Sequence, residues 1–124
     1  MRVRDLYRRD VIRAAAEESL AEAAARMSFE EIGALAVFEG SALVGIITER
    51  DVVRAVGDGI DPSSVSVRDY MTPEPVTVTP DASAAEAAAT MILLGARHLP
   101  VTEGGEVVGM ISVRDLLVEE AQER

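Results

Sequence analysis

A chain of 124 residues with 48% apolar side chains is long enough to bury a core, and with only 3% aromatics that core must be built from Ala, Val, Ile and Leu. The absence of cysteine excludes disulfides, thiolate catalysis and Cys-based metal sites, and a single histidine, His98, excludes a histidine cluster. A net charge of −10 argues against nonspecific binding to nucleic acid or an anionic membrane, and no apolar run reaches the ~18 residues of a membrane span.

Taken in chain order, Met1 to Asp10 alternates Arg and Asp and lacks the apolar region of a secretory signal, so a cytoplasmic protein is expected. Val11 to Ala14 reads as a short strand, although Arg13-Ala14-Ala15-Ala16 fits a helix equally well. Ser19 opens an alanine-rich helix, with Glu22 placed for a capping box. Strands follow at Ala34–Phe38 and Leu43–Thr48 around a turn at Gly40, then a helix from Glu49 to Val56. Val56 to Ser66 clusters Gly, Pro, Asp and Ser and reads as a connector. Beyond it, Val76–Thr79 alternates like a strand and stops at Pro80. Ser83, with Glu86, opens a second alanine-rich helix ending near Gly95. His98–Glu103 and Val107–Ser112 read as strands joined at Gly104-Gly105, and a last helix is expected over Val113–Glu120. Pro100 should break its strand or mark an edge or bulge.

These elements are one pattern given twice. Val3-Arg4-Asp5 recurs at Val67-Arg68-Asp69, Ser19–Ala25 at Ser83–Ala89, and Gly45–Asp51 at Gly109–Asp115, always at an offset of 64. From Val3 to Val53, 19 of 51 positions equal their partners, which assigns both halves one fold. The expected organisation is a first unit over 1–58, a linker over 59–66 and a second unit over 67–124.

The sharpest feature is the twin strand-to-helix corner, Gly45-Ile-Ile-Thr48-Glu-Arg-Asp51 and Gly109-Met-Ile-Ser112-Val-Arg-Asp115. One reading is purely structural: Thr48 and Ser112 cap their helices, with Asp51 and Asp115 near the positive helix ends. The other is functional. A helix start suits an anion, and a carboxylate there can accept two hydrogen bonds from a vicinal diol such as ribose, while the hydroxyl can bond ribose or phosphate. All twelve basic residues are arginine, so every cation can pair bidentately with phosphate, and screening over ~8 Å leaves the matter to local residues rather than net charge. Arg50 and Arg114 follow the caps and are placed either to reach phosphate or to lie exposed on the helix.

The duplicated order of strand, alanine-rich helix, two strands ending in Gly-apolar-apolar-Thr/Ser-x-x-Asp, and helix resembles a tandem pair of CBS domains, a Bateman module, from about Val3 to Glu119. Val67-Arg-Asp-Tyr-Met-Thr72 and Arg97-His-Leu-Pro-Val101 resemble that family too. The resemblance implies an α/β (α+β) fold of two pseudo-twofold related β-α-β-β-α units packed through their small sheets. It implies a stand-alone CBS-domain protein that binds AMP, ADP, ATP or S-adenosylmethionine in the cleft between the units, as a regulatory ligand and not a catalytic cofactor. The family's ribose-binding aspartate falls on Asp51 and Asp115, its hydroxyl partner on Thr48 and Ser112, and its basic phosphate pair on Arg97 and His98. Adenine would then meet Ile12, Ala14, Val76, Val78, Ile32, Leu35, Ile46 and Met110.

Arg97 and His98 align with Gly33 and Ala34, so the Asp115 corner is the better candidate for a phosphorylated ligand. With one histidine, no metal-ligand spacing and no Walker-type loop, catalysis finds little support. The expected protein is a homodimer that signals to an effector in trans, unless the chain is part of a larger protein. The competing reading is a ligand-free dimerisation scaffold, packed through the small residues of Ala21–Met27 and Ala84–Met91. Tyr7 and Tyr70-Met71 are placed either to flank a base or to anchor the leading segments to the core.

Overall fold

A computed structural model describes residues 1–117, which divide into two units: Ile12–Pro75, and Met1–Val11 together with the chain from Val76 onward. The packing units therefore cross the sequence repeat. Val67–Pro75, which leads the second repeat, completes the body of the first, and Met1–Val11 completes the body of the second.

Local capping chemistry sets both long helices. Ser19 accepts the Glu22 N–H at 3.1 Å and starts α1 (Leu20–Glu30), and Ser83 accepts the Glu86 N–H at 3.0 Å and starts α4 (Ala84–Leu94). Only this arm of the expected box forms; among the described residues neither glutamate carboxylate bonds back to its cap. Each helix turns the same stripe inward, Leu20, Ala23 and Met27 on α1 and Ala84, Ala87 and Met91 on α4. Ala23 and Ala87 on these stripes belong to each unit's own core, so they are not free for packing between copies.

The helices end differently. α4 stops at Gly95 (φ 67°), whereas α1 stops at Glu31 (φ 56°), a left-handed conformation unfavourable for an L side chain. Glu31→Gly should therefore raise stability by ~1 kcal/mol, read as a higher urea midpoint with an unchanged slope.

In the Ile12–Pro75 unit the sheet order is β1 (Arg13–Ala15), β2 (Ala34–Glu39), β3 (Ala42–Thr48), β4 (Thr72–Pro73), with β1 parallel to β2 and the other pairs antiparallel. α2 (Glu49–Gly57), a 3-10 turn at Pro62–Ser64 and the short α3 (Val67–Tyr70) complete it. Leu20, Leu35, Val37, Ile47, Ala55 and Val67 meet in its core. A bidentate pair holds α1 to β1: Arg26 donates to both oxygens of Glu18 at 2.6 and 2.8 Å and to the Arg13 carbonyl at 2.8 Å. The Arg26 guanidinium keeps the Glu18 carboxyl below its usual range, and Glu18 in turn raises Arg26.

In the other unit β5 (His98–Glu103) and β6 (Glu106–Ser112) form an antiparallel hairpin with a bulge at Val101/Thr102, just after Pro100. The expected strand at Val76–Thr79 contracts to one parallel bridge, Val78 to Val101, because Pro75 and Pro80 bracket it and cannot donate to a ladder. The first strand is likewise shifted, to Arg13–Ala15. Residues 113–117 are helical; the rest of the helix expected to Glu120 lies outside the described residues. Val3, Ala87, Met91, Leu99, Val101 and Ile111 form the core.

The leading segments lock on through backbone. Val3 N–H donates to Ala82 O at 2.9 Å, and Arg8 and Met110 exchange bonds of 2.8 and 3.0 Å. Val67 N–H to Glu18 O repeats the Val3 bond, and Arg68 N–H to Ala16 O repeats a bond of 3.0 Å from Arg4 N–H to Pro80 O, the two in the Ile12–Pro75 unit each at 2.9 Å. Asp5 and Asp69 of the repeated Val-Arg-Asp triplets each accept the N–H three residues back, at 3.0 Å. Tyr7 and Tyr70-Met71 pack against the two cores, so the anchoring role holds for them. Among the described residues no helix is long and apolar enough to cross a membrane.

Candidate functional site

Each corner is a closed reciprocal box. Thr48, the last residue of β3, keeps an extended backbone (φ −125°, ψ 164°) and turns the chain into α2. Its N–H and Oγ1 donate to Asp51 Oδ2 at 2.8 and 3.0 Å, and Asp51 N–H returns to Oγ1 at 3.4 Å. Ser112 and Asp115 repeat this at 2.8, 3.0 and 3.3 Å. The structural reading of the motif is thus satisfied twice over.

The box also limits what each group can offer a ligand. A hydroxyl has one proton and two acceptor sites. The proton of Thr48 or Ser112 is committed to its aspartate, which leaves the oxygen as an acceptor. That suits a sugar hydroxyl and does not suit a phosphate oxygen, so phosphate must look elsewhere.

In the unit from Val76 onward, elsewhere is close. His98 begins β5 directly across from Ser112, and Val113 N–H donates to the Arg97 carbonyl at 2.9 Å. The hairpin register therefore holds Arg97 and His98 beside the Ser112–Asp115 box. Arg97 and Arg114 are exposed, and Asp115 is half-buried. In the Ile12–Pro75 unit the same register sets Ala34 across from Thr48, with Glu49 N–H bonded to Gly33 O at 3.0 Å, so the strand brings no cation to that box. Arg50 there is exposed.

The adenine candidates divide by burial. Leu35 has no exposed surface and Ala14 only 2%, so both are core residues that show no face to a ligand. Ile46 is buried beside Ala36, and Ile12 and Ile32 are half-buried at the edge of the same core. Val76 is exposed, while Val78 and Met110 are half-buried on either flank of the β5–β6 hairpin.

One participant escaped sequence reasoning. Arg54 donates to Asp51 Oδ1 at 3.3 Å and to the Tyr70 carbonyl at 3.1 Å, and its guanidinium lies 5.2 Å from the Tyr70 ring centre. An arginine three residues after a helical aspartate was the available signal.

A family model for the CBS domain matches residues 3–58 and again residues 67–121. The chain belongs to the CBS-domain family. This CBS pair is 36% identical over 118 residues to the uncharacterized protein MK0525 of Methanopyrus kandleri, across 93% of this chain and 60% of that one. It is 38% identical to an inosine-5'-monophosphate dehydrogenase of Korarchaeum cryptofilum, across 91% of this chain and 23% of the enzyme. The chain thus spans less than two thirds of either relative. Among solved structures, the CBS domain pair of protein MJ0100 in complex with 5'-methylthioadenosine and S-adenosyl-L-methionine has a TM-score of 0.91 at 25% identity, over 100% of this chain and 98% of that one. CBS pairs are regulatory ligand-binding modules, and the fold here is the mixed α+β fold of that family.

Proposed function

We propose that this CBS pair is a regulatory module for an adenosyl ligand (AMP, ADP, ATP or S-adenosylmethionine) and that it reports occupancy to an effector protein. The observation that carries the reading is the hairpin register that seats Arg97 and His98 beside Ser112 and Asp115. That arrangement offers a diol acceptor and a phosphate-binding cation within one unit. The adenosyl compounds in the MJ0100 structure support the ligand class. Asp115 takes both ribose hydroxyls, Ser112 holds the Asp115 carboxylate in place, and Arg97 with His98, joined by Arg114, meets a phosphate or carboxylate. Met110, on the hairpin face that carries His98 and Ser112, supplies apolar surface for the base. A ligand changes the signal only as far as it binds the two signalling states unequally.

Melting the protein with AMP, ADP, ATP, S-adenosylmethionine and GTP in turn tests this. A ligand at a hundredfold over its Kd should add ~2.7 kcal/mol. For a chain of this size that is a rise in Tm of about 10 °C. Flat melts with all five would instead favour a ligand-free scaffold that pairs with a second copy. Ile92 and Leu93, 82% and 85% exposed on α4, keep that reading in view.

A further inference from the structure

We infer that Arg54 is a built-in occupant of the Asp51 corner, so that the pair takes one adenosyl ligand per chain, at the Asp115 corner. The inference rests on the adenosyl reading and adds a rule about which corner is open.

The case is a count of acceptor sites. An ionised carboxylate accepts at about four positions. At Asp115 the Ser112 box takes two, both on Oδ2, and among the described residues Oδ1 has no partner. A vicinal diol brings two donors, and Oδ1 can accept both. At Asp51 the Thr48 box takes the same two, and Arg54 takes a third on Oδ1. One position is left for two donors. Asp51 is also only 5% exposed, so a diol cannot reach the remaining position without moving Arg54 aside.

Arg54 resists that movement although its side chain is 53% exposed. Its second nitrogen is bonded to the Tyr70 carbonyl, and the Tyr70 ring lies under its guanidinium. Removing it from Asp51 breaks a charge-assisted bond and leaves a buried carboxylate short of its cation. The other repeat lacks both parts of this device. At the offset of 64, Arg54 corresponds to Val118 and Tyr70 to Leu6, so that repeat has neither a cation nor a ring at those positions. Leu6 packs into the core with Leu116 instead.

Isothermal titration with AMP, ADP, ATP and S-adenosylmethionine, on the wild-type chain, Asp51→Asn, Asp115→Asn and Arg54→Val, tests the rule. The expected result is one equivalent bound by wild type, the same isotherm for D51N, none for D115N, and two equivalents for R54V. Two equivalents on wild type, or loss of binding in D51N, overturns the role of Arg54 and leaves the adenosyl reading standing; neither readout depends on R54V folding. Weaker binding by a folded R54V also overturns it, because Arg54 would then be a ligand group and not a competitor. No heat from any probe on wild type or R54V overturns the adenosyl reading itself, and this rule with it.

Discussion

Gly109→Ala should destabilise the chain more than any other single-methyl addition to a glycine. A Cβ at Gly109 would run into the Arg8 carbonyl oxygen and stand 2.5 and 2.6 Å from Tyr7 Cδ2 and Cε2. The ring can swing away; the carbonyl cannot, because Arg8 is held by its two backbone bonds to Met110. Either the hairpin distorts, at the ~1–3 kcal/mol of an overpacked core, or the leading segment lifts and its bonds are lost at ~0.5–1.5 kcal/mol each. A fall in Tm on the order of 10 °C follows for a chain of this length. Gly57→Ala is the control, since nothing lies within 4 Å of the added carbon at the end of α2 and its backbone is not left-handed. Equal melting of G109A and G57A would show that the leading segment does not cross Gly109. Gly45 holds the same place in the other unit, where the added carbon would meet Met71 Sδ at 2.5 Å and the Thr72 carbonyl oxygen at 2.9 Å.

The second large effect is on binding. On the adenosyl reading proposed above, Asp115→Ala removes the acceptor of both ribose hydroxyls, and hydrogen bonds to a charged group contribute ~1.5–3 kcal/mol each. Affinity for the adenosyl ligand should fall roughly a hundredfold or more, at one decade per ~1.4 kcal/mol. In a melt, the ligand-induced rise disappears at the concentrations that shift wild type. The same substitution breaks the Ser112 box, so the ligand-free protein should also lose ~0.5–2 kcal/mol. The two roles separate cleanly: capping is read in the absence of ligand, and diol binding in the difference that ligand makes. An intact ligand shift in D115A would falsify the ribose assignment whatever happens to the ligand-free melt.

What could be read from the sequence was local. Ser19, Ser83, Thr48 and Ser112 announce helix starts because a cap and the N–H it satisfies lie within three residues of each other. The β5–β6 hairpin was legible for the same reason, with Gly104-Gly105 between two apolar runs. Val76–Thr79 misled because its alternation fits a strand, yet whether a ladder forms depends on the prolines on each side and on the partner, Val101, that lies far along the chain. The crossing at Gly109 is a contact over a hundred residues of sequence, and nothing near Gly109 signals it. At the candidate site the types and spacing of Thr48, Asp51, Ser112 and Asp115 were plain. The commitment of each hydroxyl proton to its aspartate, and of Asp51 Oδ1 to Arg54, is hydrogen-bond geometry and became visible only with coordinates.

The crossed leading segments bear on how such a chain arose. A lone ancestral repeat would have carried a head segment suited to another copy's body and a body with no head of its own, since Val3 and Val67 each fill a core that their own repeat does not build. Its simplest stable form is a pair of identical chains trading heads, folded only when associated. Duplication with end-to-end fusion would turn that bimolecular exchange into an intramolecular one, remove the dependence on concentration and free the two bodies to diverge.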